Sequence, residues 1–277
     1  MKTIIRAHQP WYRIDWWELY EYRDLLWFLV LRDFTAVYKQ SILGPLWFII
    51  QPLATTLVFT VIFGNIAKIG TDGVPPMIFY MGGMVLWNYF QGCMNSVSTA
   101  LISNANVFGK VYFPRLIVPL SQVISNLGQF FLNLVMFLAF YFYFVWVKDA
   151  PIHMTGYVAY IPLLVIQCGV IGLGVGLWLS ALTAKYRDLR FALPFLSQLW
   201  MYATPIVYPS SLVSEKWQWI IALNPMAWVV ELNRVAFLGV GTLNGQFVIL
   251  GLAVGFVLLV SGLFMFNKIQ RTFVDTI

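Results

Sequence analysis

Long windows free of Asp, Glu, Lys and Arg divide this chain. A helix needs about 20 apolar residues to cross the hydrocarbon core of a bilayer, and six windows are of that size: residues 46–66, 77–101, 117–147, 157–182, 191–209 and 246–267. The pattern predicts an all-α membrane protein with six transmembrane helices. At about 1.5 Å of rise per residue the third window is too long to cross upright, so tilt, or a first turn in the headgroup region near Pro119, is expected. Positive loops resist translocation. With the amino terminus inside, 13 of the 17 Lys and Arg fall on the cytoplasmic side and Lys68, Lys148, Lys216 and Arg234 fall outside. Both termini are therefore expected in the cytoplasm. The chain divides into a cytoplasmic segment 1–45, a transmembrane domain 46–267 and a tail 268–277.

Two apolar stretches do not fit simple crossing. Residues 16–40 place Glu18, Glu21 and Asp24 at spacings of three, one stripe of a helix, and their longest uncharged run is Leu25 to Leu31. The pattern predicts an amphipathic helix lying along the cytoplasmic membrane surface; a small soluble domain ahead of the first span is the alternative. Residues 210–245 hold two short apolar pieces, Trp217–Leu223 and Met226–Leu238, separated by Asn224-Pro225. Proline removes a helical hydrogen bond and restricts the residue before it. A broken outer re-entrant hairpin between spans five and six follows, provided protein or water covers its backbone. Glu231 and Arg234, at i and i+3, are expected to form a local salt bridge.

Composition agrees with this class. The chain is 60% hydrophobic and 10% charged, whereas soluble domains carry about 25% charged residues. The net charge of +6 comes from scattered bases rather than the clusters that neutralise a run of phosphates, so no nucleic-acid partner is expected. Cys93 and Cys168 lie in apolar runs and imply neither a disulfide framework nor a metal site. The amino terminus mixes acids, bases and tryptophans, unlike a cleaved leader.

The search for catalytic chemistry returns absences. The sole Gly-Lys pair, Gly109-Lys110, precedes Val111 and has no upstream glycine, so no P-loop is present. His8 and His153 fall on opposite sides of the predicted membrane, which excludes a His-based dyad. No catalytic residue, bound cofactor or metal is expected, and no ionisable group inside the windows offers a coupling-ion site. Gln122, Asn126, Gln129 and Asn133 do keep to one helical face; they either hydrogen-bond between helices or line a wet passage. Gly169, Gly172, Gly174 and Gly176 predict close helix packing. The 12 Trp, 14 Tyr and 23 Phe suit interfacial belts or faces that lie flat on sugar rings.

The order of parts then resembles a known family. The tracts are Arg32-Asp33-Phe34 followed by Tyr38-Lys39-Gln40-Ser41-Ile42-Leu43-Gly44-Pro45-Leu46-Trp47 and Gln51-Pro52; Asn104-Ala105-Asn106-Val107-Phe108-Gly109-Lys110-Val111-Tyr112-Phe113-Pro114-Arg115; Tyr186-Arg187-Asp188-Leu189; Thr204-Pro205-Ile206; and Asn224-Pro225-Met226. With six spans and a broken outer hairpin, this set resembles the membrane (permease) subunit of ABC-type polysaccharide exporters, which move O-antigen, capsular polysaccharide and teichoic acid. The resemblance implies an inner-membrane homodimer working with two copies of a separate ATPase that binds ATP and Mg. It implies that residues 104–115 form a coupling helix, with Asn106, Phe108, Lys110, Tyr112, Phe113 and Arg115 at the ATPase. It also implies a lipid-linked glycan meeting Arg23, Arg32, Tyr38, Lys39, Gly44, Pro45 and Trp47 at the inner leaflet, although Gly44-Pro45 could merely turn the chain and Lys39 snorkel to headgroups. The outer gate would be Trp217, Trp219, Asn224, Pro225 and Trp228. Rival readings are an ABC exporter of drugs or smaller lipids, a membrane-embedded glycosyl- or acyltransferase, and a non-transporting scaffold.

Overall fold

The structure is a computed structural model that describes residues 15–39, 44–104, 108, 111–186 and 188–273. It is helical, with no strand among the described residues. Asp15 caps α1 (Trp16–Glu21) by accepting the Glu18 N–H at 3.3 Å. After a break at Tyr22 comes α2 (Arg23–Lys39), so the expected surface helix is two pieces. A 3-10 turn, Gly44–Leu46, leads into α3 (Trp47–Phe59), which continues as a π-helical stretch, Thr60–Ile66. Then come α4 (Pro76–Ser98), the short α5 (Ala100–Ser103), α6 (Ile117–Trp146) and α7 (Ile161–Lys185), the last preceded by a 3-10 turn, Gly156–Tyr160. The chain closes with α8 (Leu189–Ala203), α9 (Glu215–Ala222), α10 (Ala227–Leu238) and α11 (Gly245–Phe273).

Among the described residues, four segments are long and apolar enough to cross a membrane: Trp47–Ile66, Ile117–Trp146, Gly156–Lys185 and Gly245–Gln270. They answer to the first, third, fourth and sixth windows. The second window becomes α4, whose 23 residues carry no charge but include Asn88, Gln91 and Asn95. It packs against α3, α6, α7, α8 and α10 and is mostly buried, so protein rather than lipid surrounds it. The fifth window is shortened. Its helix α8 has 15 residues and stops at Ala203, because Pro205 holds Thr204 in an extended conformation (φ −95°, ψ 139°). The half-helices α9 and α10 meet at 103° around Asn224-Pro225, the predicted break. Gly239 ends α10 at φ +70°, a left-handed position suited to glycine.

Glycines let the central helices approach. A Cβ at Gly172 would lie 2.7 Å from Cys93 Cβ, and one at Gly176 2.6 Å from Val97 Cβ, both on α4. One at Gly174 would lie 2.7 Å from the Leu259 backbone nitrogen on α11. The glycines of α7 therefore pack, as the sequence predicts, and serve two neighbours at once.

Candidate functional site

Three regions carry the unusual polar chemistry. At one end of the molecule, the chain leading into α6 folds back on α1 and α2. Phe113 is 7% exposed and joins Leu29, Ala100, Ile117 and Val118 in a buried cluster, with Phe108 packed at its edge. The Phe108 and Phe113 rings are 5.5 Å apart, and the Arg115 guanidinium lies 5.7 Å from the Phe108 ring centre. Arg115 also donates to the Gln270 carbonyl on α11. Tyr112 is the exception, 79% exposed with Val111 beside it. Its hydroxyl donates to Glu18 Oε1 at 3.1 Å. Partial desolvation, then the Glu18 carboxylate, hold the phenol pKa above its ordinary value. Of the three aromatics expected to anchor a partner, Phe113 is already spent on the chain's own packing and Tyr112 is the one presented. Asn106 and Lys110 lie outside the described residues.

Beside this cluster, a polar cavity of about 460 Å³ opens between α2, α3, α4 and α6. Gln122, Asn126 and Gln129, three of the four residues on the polar face of α6, line it. Asn126 donates to Ser96 Oγ across to α4 at 3.2 Å, so part of the stripe does bridge helices. Asn133 lies elsewhere, with Asn88 around a small gap of about 10 Å³. Of the residues expected at a substrate entrance, Arg32 lines the cavity, paired with Asp33 at 2.7 Å. Arg23, near the other end of α2, is 3.9 Å from Asp24 and 4.8 Å from the Tyr20 ring centre. Trp47 is exposed at the start of α3, and Gly44 takes φ +48° in the turn before it. Tyr38 and Lys39 end α2 and Pro45 sits within the 3-10 turn. Among the expected entrance residues whose side chains are described, Arg32 is the one that lines the cavity.

The region around α9 and α10 is organised by two polar hubs. Asn224 accepts from Trp200 Nε1 at 3.0 Å and from the Met226 N–H at 3.0 Å, and donates to Thr204 Oγ1 at 2.8 Å. It therefore ties the break between α9 and α10 to the end of α8. The second hub was legible only as a salt bridge. Arg234, 1% exposed, donates to the Ile206 carbonyl at 2.6 Å, lies 3.8 Å above the Phe79 ring centre and sits 3.7 Å from Glu231. Glu231 Oε1 accepts from Ser210 Oγ at 2.5 Å and from the Thr242 N–H at 3.0 Å. Two charges thereby fasten segments 206–210 and 240–242 onto α10. Trp228 is buried at 6%, whereas Trp217 and Trp219 stand out on α9, so the expected aromatic gate presents two rings and not three. A cavity of about 440 Å³, lined by Trp228, Glu231, Gln218 and Phe247 among others, lies between the half-helices and α11.

Among the described residues, no three His, Cys, Asp or Glu side chains come together as a metal would require. The arrangement is one of helices, polar cavities and a segment fastened to α10, suited to passing or holding a ligand.

Comparison with known proteins identifies the architecture. Residues 24–238 match the family described as ABC-2 type transporter. The chain belongs to that family. This ABC-2 chain is 30% identical over 252 residues to the O-antigen export system permease protein RfbA of Klebsiella pneumoniae, covering 91% of this chain and 94% of that protein. The RfbA protein of Myxococcus xanthus is 30% identical over 224 residues, covering 79% and 82%. The polysialic acid transport protein KpsM of Escherichia coli is 24% identical over 216 residues, covering 75% and 79%. The ABC-2 match starts within α2 and ends where α10 ends, so it contains the polar cavity and most residues of the other two regions.

Within this ABC-2 framework the Asn224 hub yields a direct test. Asn224→Ala leaves the Trp200 N–H without its acceptor and is expected to destabilise the protein by about 1–3 kcal/mol. Thermal denaturation in detergent measures this, and a melting curve that coincides with wild type would refute the hub's role.

Proposed function

We propose that this chain is the membrane subunit of an ATP-driven exporter that moves lipid-linked polysaccharide, of O-antigen type, from the cytoplasmic side outward. The observation that carries the reading is the near full-length similarity to O-antigen export permeases. In this reading two copies of the chain form the conduit in a bacterial inner membrane, each with six spans and both termini inside. Two copies of a separate ATPase bind ATP and Mg, in keeping with the lack of a P-loop in the sequence. The lipid diphosphate is received near Arg23, Lys39 and the Gly44-Pro45 turn, because Asp33 already engages Arg32, and α9 with α10 closes the exit. Reconstitution of the chain with its ATPase in vesicles tests the whole: lipid-linked glycan should stimulate ATP hydrolysis and appear on the far side. Stimulation by a drug, with none by any glycolipid, would replace the reading with a drug exporter.

Contact with the ATPase is assigned to residues 104–115. Because Tyr112 is exposed while Phe113 is buried, Tyr112→Ala and Lys110→Glu are expected to reduce glycolipid-stimulated hydrolysis by at least about tenfold, the loss of one interface anchor. Neither should change the amount of inserted protein. Stimulation that survives both substitutions removes this contact from the proposal.

A further inference from the structure

The cavity between α2, α3, α4 and α6 has a composition that the lipid anchor alone does not explain. Its volume, about 460 Å³, falls within the range of about 300–1,000 Å³ typical of small-ligand sites. Three features define what it can hold.

The first is neutrality. Arg32 is the cation in the wall, and Asp33 already engages it with two hydrogen bonds at 2.7 and 2.9 Å. A phosphate entering here would have to displace that carboxylate. The second is unspent hydrogen-bonding capacity. Gln122 Oε1 is buried without a partner, and Gln129 lines the same wall. Had the α6 stripe served helix packing alone, its amides would be paired across the interface as Asn126 is with Ser96; leaving buried polar atoms unpaired is costly. Asn104 and Ser103 bring further amide and hydroxyl groups from the facing wall. The third is a pair of rings, Phe34 and Phe48, at the cavity edge. Neutral amides and hydroxyls recognise hydroxyl groups, and phenyl faces accept the C–H face of a pyranose. A lipid tail would gain nothing from the amides.

We infer that this cavity binds a neutral sugar unit at the membrane-proximal end of the cargo, with Gln122, Asn126 and Gln129 reading its hydroxyls. The inference rests on the exporter reading above and adds to it a sugar site separate from the residues that would meet the diphosphate.

Cys93 and Cys168 are both buried, so a single Ser125→Cys substitution places one accessible thiol in the cavity wall of the otherwise intact chain. The full complex with its ATPase is assembled in vesicles, and maleimide labelling is followed with two probes: polyprenyl diphosphate carrying a neutral disaccharide, and the bare polyprenyl diphosphate. The glycosylated probe should slow labelling about tenfold, the worth of one or two neutral hydrogen bonds, and the bare probe less than about twofold. Gln129→Leu in the same background should abolish the difference; if that variant does not insert, Gln122→Met provides the same comparison. Equal protection by both probes, or protection that persists in these variants, overturns the sugar site. ATP hydrolysis in the same vesicles separates the two failures. Glycolipid-stimulated hydrolysis without sugar-dependent protection sinks this inference alone, whereas hydrolysis indifferent to every glycolipid sinks the exporter reading beneath it.

Discussion

Arg234→Ala is expected to destabilise the protein by about 3–5 kcal/mol, the usual result of removing one member of a buried charge pair. Arg234 is almost wholly enclosed, and the change removes more than one partner. The Glu231 carboxylate would remain buried without its cation, the Ile206 carbonyl would lose its donor, and the Phe79 ring would lose the guanidinium above it. The segment after α8 would then be held to α10 within this hub through the Ser210–Glu231 hydrogen bond alone. Replacing both members, Arg234→Met with Glu231→Gln, should recover part of the loss, because no uncompensated charge is left behind. Thermal melting of the full chain in detergent decides the matter. An Arg234→Ala protein that melts like wild type would show that the hub fastens nothing.

Gly174→Val should be at least as damaging, for a different reason. The added Cβ would meet backbone atoms of Leu258 and Leu259, and the facing Gly262 is similarly pressed against the Gly174 carbonyl. A backbone cannot swing aside as a side chain can, so α7 and α11 must separate. Overpacking of this kind costs typically about 1–3 kcal/mol and more where the neighbours cannot yield; here loss of the folded protein is expected. Gly169→Ala is the contrast, since its Cβ would meet the Tyr89 hydroxyl at 3.1 Å and a side chain can rotate. The yield of monodisperse protein after solubilisation separates the two, and a normal yield for Gly174→Val would show that the helices part at little cost.

Much of this arrangement was readable from hydropathy because the bilayer makes a simple demand on residues that face it. The long segments starting at Trp47, Ile117, Gly156 and Gly245 meet that demand with near-continuous apolar side chains. The break at Asn224-Pro225 was visible because proline cannot continue a helix. Burial by protein relaxes the demand, and there the pattern loses its force: α4 is enclosed by neighbours and keeps asparagines and glutamine. Pro205 was in plain view, yet its effect of stopping α8 at Ala203 was hidden by the apolar residues that follow. The polar stripe on α6 was legible as a period, but its division between a cavity and the separate gap at Asn133 depends on where α2 and α4 pack. The hubs at Asn224 and Arg234 join residues 20 or more positions apart, which no local pattern encodes.

The enclosure of α4 also bears on how the protein is made. Most of the surfaces that cover it, on α6, α7, α8 and α10, follow it in the chain, so a ribosome delivers α4 to the bilayer before its shelter has been synthesised. Its side-chain amides would then face hydrocarbon unaided, a state the lipid disfavours. Integration must accordingly be cooperative, with the nascent helix retained near the insertion machinery until the later helices arrive.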